Sequence, residues 1–223
     1  MTSILSTALF TVGMALLATL VMLPPGVGLA WLLARGRFPG RVLLETAVTL
    51  PLVLPPVATG LILLRLLGRQ GPAGAVLERL GIEVLFTPKA VVLAMAVMGL
   101  PLLVRSARAG FEQVDRRYEQ LAATLGARPV RVFFTISLPL AGRGVLAGAL
   151  LGFSRALGEF GATILVAGAL PGTRTIAVAI YSATVVGDDA AATALLAVSA
   201  ALAFGALFVS HRLTAARAAP AGR

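Results

Sequence analysis

EQVDRRYEQLAATLGARPVRVFFTISLP, residues 112–139, is the one long interval in the middle of the chain that a bilayer would reject. Long apolar runs flank it on both sides. Within it Val114, Tyr118, Leu121, Ala122 and Leu125 recur at the spacing of one face of an α-helix, so its first half reads as a short amphipathic helix. Asp115 is placed to cap the first turn and Gly126 to supply the left-handed residue that ends the helix. Pro129 suits the opening of a second short helix through Val130, Phe133, Phe134 and Ser137. Pro139 is expected to stop that second helix. The product is a helix-turn-helix hairpin, carrying an apolar ridge and set between membrane spans on a basic surface. Such a ridge needs a groove to fill.

The rest of the composition belongs in lipid. With 58% hydrophobic and 13% charged residues, a soluble domain of 223 residues would have nowhere to bury its apolar surface. The net charge of +10 does not point to nucleic acid, because the basic residues are scattered between apolar runs and not clustered with aromatic side chains on one face. There is no cysteine, and hence no disulfide to infer a compartment from.

In chain order, the apolar runs give five spans at about 5–33, 42–67, 86–107, 140–166 and 190–209. The first is too long for a signal peptide and lacks a basic n-region, so it is expected to stay as a span, kinked at Pro24 and Pro25. Residues 65–89 read as a polar extramembrane loop. Residues 175–186 are apolar but about half the ~20 residues a span needs, which predicts an interfacial or re-entrant helix. The fold class is therefore an all-α integral membrane protein of about five transmembrane helices, in one domain of 223 residues, with the hairpin between spans three and four.

Two spans carry residues that hydrocarbon penalises. Pro51, Pro55 and Pro56 each remove a backbone donor and free a carbonyl, so span two must bend against its neighbours or line a polar path; Thr59 and Gly60 follow directly. Arg155 and Glu159 lie in span four, roughly 18 and 24 Å along a helix that starts near Arg143. Each charge costs about 2.5–3.5 kcal/mol at such depth, and the i,i+4 spacing lets them pair. Either they neutralise each other as a structural pair, or Arg155 assists passage of an anion while Glu159 keeps it from being held too tightly.

The interval 112–139 resembles the cytoplasmic coupling loop of permease subunits of binding-protein-dependent ABC importers, which reads roughly E-A-A, three residues, Gly, nine residues, I-x-L-P. Gly126 is followed after nine residues by Ile136, Ser137, Leu138 and Pro139, while Gln120, Leu121 and Ala122 stand at the triplet and Glu119 is displaced one place upstream. LPLVLPPVATG at 50–60 and SRALGEFGATILVAG at 154–168 look like the molybdate-type permeases in particular. The resemblance implies a homodimer with one pore, two cytoplasmic ATP-binding-cassette subunits, and a periplasmic or extracellular oxyanion-binding protein. It implies ATPase docking by Gln120, Leu121, Ala122, Gly126, Phe133, Phe134, Ile136, Leu138 and Pro139. A pathway or gate is expected from Pro51, Pro55, Pro56, Thr59, Gly60, Arg155, Glu159 and Thr163. The cargo implied is an oxyanion, molybdate first, with tungstate or sulfate/thiosulfate as alternatives.

No enzyme chemistry competes. His211 is the one histidine and has no cysteine or nearby carboxylate to join it, which reads as a solvated tail residue; Ser154 has no base. No glycine-rich phosphate loop is present, so ATP and its Mg ion are expected to be handled by the partner ATPase, with no cofactor in this chain. A channel or scaffold without an ATPase is the alternative of another class, and the cytoplasmic apolar ridge argues against it. With the hairpin inside, 13 basic residues fall in inside segments and five outside, which favours an N-terminus outside and a C-terminus in the cytoplasm; the resemblance implies the cytoplasmic (inner) membrane.

Overall fold

The computed structural model describes residues 4–216, with side chains as far as Val209 and that of Arg212; Arg217, Arg223 and the side chain of His211 lie outside the described residues. Among the described residues every regular element is helical. Three helices are long and apolar enough to cross a membrane unaided: α1 (Ile4–Arg35), α5 (Pro88–Glu112) and α12 (Asp189–Ala216, of which Asp189–Val209 qualifies). Two bent helix pairs raise the number of candidate spans to five. Arg35, in the last turn of α1, sits where a cation complements the helix dipole. Pro24 and Pro25 lie inside α1, which continues through them to Arg35.

The centre of the bundle is α5, packed along its length on α1 and on α9 (Gly142–Leu157). Small side chains set that closeness. Ala15, Ala18 and Ala30 of α1, with Ala90, Ala94 and Ala107 of α5, are buried, and α9 presents Gly144, Gly148 and Gly152 to α5 and α1. At the tightest crossing a methyl group built on Gly144 would lie 2.6 Å from Cα of Gly110, and the Ser106 hydroxyl donates to the Gly144 carbonyl at 3.0 Å. By contrast α12 buries almost nothing, and its exposed Leu196, Leu207 and Phe208 form an apolar flank suited to lipid.

The second apolar run is two helices, α2 (Arg41–Val53) and α3 (Pro56–Leu67), meeting at 116°. The cause is local: a residue before proline avoids the α region, and both Leu54 (φ −66°, ψ 143°) and Pro55 (φ −53°, ψ 134°) precede one. Pro55 and Pro56 also deny the carbonyls of Pro51 and Leu52 their i+4 donors. Between α3 and α5, α4 (Pro72–Arg79) lies in the polar connection and borders an open cleft of about 860 Å³.

Three sequence expectations are corrected. Span four is not continuous over 140–166: α9 ends at Leu157, and after a break at 158–160 the chain resumes as α10 (Gly161–Ala167). Nor does Pro139 stop the second hairpin helix. That helix begins as α7 (Pro129–Val132), widens to π-helical over Phe133–Ser137, and continues as α8 (Leu138–Leu140), turning only at Ala141. In the widened turn the Leu138 N–H donates to the Phe133 carbonyl, five residues back, which relieves the clash a proline ring makes in a regular helix. The third span is longer than 86–107, since α5 runs to Glu112. The stretch 175–186 forms α11 (Ile176–Val186), eleven residues, pinned to α1 where the Ile176 N–H donates to Thr11 Oγ1 at 2.9 Å.

Gly144→Val is expected to destabilise the bundle by about 1–3 kcal/mol or more through overpacking at Gly110, whereas Gly142→Ala, with open space around it, is expected to be neutral. Thermal melting of the detergent-solubilised variants checks this; equal melting temperatures for the two contradict the crossing.

Candidate functional site

The hairpin grows from the end of α5. Asp115 caps α6 (Arg116–Thr124), its Oδ1 accepting from the Arg117 N–H at 2.9 Å. Gly126 has φ +81°, a left-handed turn that a β-branched residue would strain, and the Ala127 N–H closes the turn onto the Ala122 carbonyl at 3.0 Å. No residue of α6 is buried. Tyr118, Leu121 and Leu125 stand exposed (56, 61 and 88%), and Val130 and Phe134 of the second arm add to them (68 and 61%).

The residues expected to dock a partner therefore divide. Gln120, Leu121, Gly126, Phe134 and Pro139 are exposed; Ala122 and Ile136 are half-buried. Phe133 and Leu138 turn inward onto the core cluster around Ala30, Leu33 and Phe111. Phe133 has its ring 5.4 Å from that of Trp31 and 6.1 Å from that of Phe111. Inverse patterns are hard to read from a short helix, because ridge and root are both apolar.

At the far end of α9 the second constellation forms. The start of α3 crosses the start of α10 so closely that a methyl on Gly60 would lie 2.7 Å from Ala162 Cα, and one on Gly161 2.7 Å from Pro56 Cβ. The crossing sets Pro56 and Gly60 against Gly161 and Ala162, with Thr59 and Thr163 next to them in sequence and Glu159 bonded to the Ala162 N–H; Pro51 lies inside α2. Glu159 is 1% exposed: its Oε1 accepts from the Ala162 N–H at 2.7 Å, capping the break, and its Oε2 lies 2.8 Å from Arg155 Nη1. That ion pair is close but not aligned as a hydrogen bond, so it is mainly Coulombic. Arg155 keeps a quarter of its side chain exposed. The Thr59 and Thr163 hydroxyls are buried and have no hydrogen-bond partner among the described residues.

Sequence reasoning missed two polar networks. Glu119 Oε1 accepts from Arg35 Nε at 3.1 Å and from the Ser137 hydroxyl at 2.7 Å. Arg108 bridges Glu45 of α2 at 2.6 Å and Glu112 at 2.7 Å, joining α2 to α5. The available signal was position: Arg35, Glu45 and Arg108 lie near the ends of apolar runs, where charges share one interfacial layer, whereas nothing of that kind marks Glu119.

Helices broken within apolar stretches around a buried ion pair, with an apolar hairpin at the opposite end of the bundle, suit an integral membrane transport component. Residues 26–217 match the family described as binding-protein-dependent transport system inner membrane component, and the chain belongs to that family. It is 47% identical over 213 residues to the molybdenum transport system permease protein ModB of Escherichia coli K12, covering 93% of this chain and 92% of that one. The Mycobacterium tuberculosis protein of the same name is 45% identical over 199 residues, 87% of this chain and 75% of its own. Among solved structures, a subunit of a bacterial alginate ABC transporter in complex with a periplasmic protein superposes with a TM-score of 0.69 at 17% identity, covering 92% of this chain and 76% of that chain. The MetNI methionine ABC transporter gives 0.65 at 15% identity, covering 96% and 93%. The fold is that of an ABC importer permease.

Glu159→Leu is expected to cost about 3 kcal/mol, because it strands Arg155 and uncaps the Ala162 N–H, and adding Arg155→Leu is expected to recover part of that loss. Melting temperatures of the three variants in detergent check the cycle; strict additivity contradicts the pairing.

Proposed function

We propose that this chain is the permease subunit of an ATP-driven importer of molybdate. The observation that carries the reading is the 47% identity to the Escherichia coli molybdenum permease, over an alignment long enough to include both broken helices. The chemistry of the crossing fits a tetrahedral dianion. Two unpartnered buried hydroxyls, Thr59 and Thr163, offer donors to its oxygens, and Arg155 offers charge, held in check by Glu159 so that the anion is not trapped. Pro55 and Pro56 serve by breaking the second span and Gly60 by letting backbone approach α10, while Pro51 lies within α2, ahead of the break.

Two copies form the pore, each presenting one hairpin to one of two cytoplasmic ATP-binding-cassette subunits, which bind and hydrolyse ATP with Mg. The docking ridge is Tyr118, Leu121, Leu125, Val130 and Phe134, shaped by Gly126 and flanked by Gln120. An extracytoplasmic oxyanion-binding protein delivers cargo at the opposite face. The N-terminus lies outside and the C-terminus in the cytoplasm, in keeping with 13 basic residues inside against five outside.

Proteoliposomes holding this chain with the ATPase and binding protein are expected to accumulate radiolabelled molybdate only with ATP inside, with tungstate competing better than sulfate. Leu121→Asp is expected to insert normally yet lose the ATPase on purification. Uptake without ATP, or sulfate as the better competitor, overturns the reading. For orientation, a cysteine at the exposed Gln70 is expected to react with an impermeant thiol reagent on intact cells and one at the exposed Arg128 only after lysis; reversed labelling places the hairpin outside.

A further inference from the structure

The family's loop pattern puts a carboxylate at the position held here by Gln120, and Glu119 stands one residue earlier. One residue turns a helix by about 100°, so this shift carries the carboxylate off the exposed ridge and toward the bundle. The neighbours Tyr118 and Leu121 are more than half exposed, whereas the Glu119 side chain is 20% exposed. Its Oε1 takes two donors from different parts of the molecule: Arg35 Nε, at the end of α1, and the Ser137 hydroxyl, on the second arm of the hairpin.

Arg35 is itself 11% exposed, and its Nη2 donates to the Val114 carbonyl at 2.8 Å, where the chain leaves α5 for the hairpin. Arg116 Nη2 returns the contact to the Ala34 carbonyl at 3.4 Å. Phe133, on the second arm, seats its ring against Trp31 of α1 and Phe111 of α5. The hairpin entry, its first helix and its second helix thus all converge on residues 31–35. Without these contacts α6, none of whose residues is fully buried, would be held mainly by its links at 113–115 and 125–128.

We propose that Glu119 is a positioning residue that locks the coupling hairpin to the end of α1 as one rigid unit, and that it does not belong to the surface the ATPase meets. Displacement of the hairpin is then delivered to α1, and through α1 to α5 and α9, with no slack in the link. The transport consequence rests on the permease reading above; the lock itself does not.

The test has two arms. Nitroxide labels at the exposed positions Arg37 and Arg128 report the hairpin relative to α1 in the full chain. A single narrow distance is expected in detergent, unchanged to within about 5 Å, one helical turn, when the ATPase and ATP are added. A broad distribution, or a larger shift, overturns the lock. This arm uses the native Glu119 and stands whether or not an ATPase binds.

In the second arm, Glu119→Ala in the reconstituted complex is expected to retain the ATPase subunits and their hydrolysis. Molybdate taken up per ATP should fall roughly tenfold, the scale of one lost charge-assisted hydrogen bond. Loss of the ATPase, as for Leu121→Asp, places Glu119 in the docking surface and overturns the proposal, as does an unchanged ratio. A wild-type chain that shows the narrow distance but recruits no ATPase refutes the permease reading and leaves the lock in place.

Discussion

Within hydrocarbon, a backbone group without a hydrogen-bond partner costs several kcal/mol, so a helix interrupted there must be completed by other parts of the protein. This chain interrupts two helices, at 54–55 and at 158–160, and lays one break against the other. Two prolines orphan carbonyls in the first break. In the second, a buried carboxylate caps the freed N–H of Ala162 and needs Arg155 to be tolerable. Glycines at positions 60 and 161 then let the two segments meet in close backbone contact. Buried polar groups, Glu159, Thr59 and Thr163, thereby stand next to the two breaks.

The remainder of the bundle supports that crossing and ties it to the hairpin. Alanine and glycine along α1, α5 and α9 bring three backbones into contact, which favours motion as rigid bodies over bending. At one end of these helices lies the broken pair, and at the other the hairpin is anchored by aromatic packing at Phe133 and by the Glu119 contacts. A push on the exposed ridge therefore has a continuous path of packed elements along which to act. The Arg108 bridge to Glu45 attaches α2 to the same body and so connects the first break to it.

Much of this was legible in the sequence because the signals were local. Prolines at 51, 55 and 56 announce a broken span, Gly126 and Pro129 announce a turn between two short helices, and charges at 155 and 159 stand out in an apolar run. The break at Gly158 to Phe160 was not legible: no proline marks it, and it exists because Glu159 serves the Ala162 N–H in place of a helical carbonyl. The passage of helix through Pro139 was missed because π-widening at Phe133 depends on how the arm seats against Trp31 and Phe111. Likewise the inward turn of Phe133 and Leu138, and the contacts of Glu119 with residues 84 and 18 positions away, are tertiary facts that periodicity does not encode.

On the permease reading, the crossing of the two broken helices is the route of the anion. With no native cysteine, Thr59→Cys and Thr163→Cys can be probed singly with a small water-soluble thiol reagent in the reconstituted transporter. Reaction at both positions is expected during ATP turnover, slowed by molybdate, with none at a cysteine replacing Leu196 on the exposed apolar flank of α12. Thr59 and Thr163 cysteines that stay as unreactive as the one at 196 in every state would contradict it.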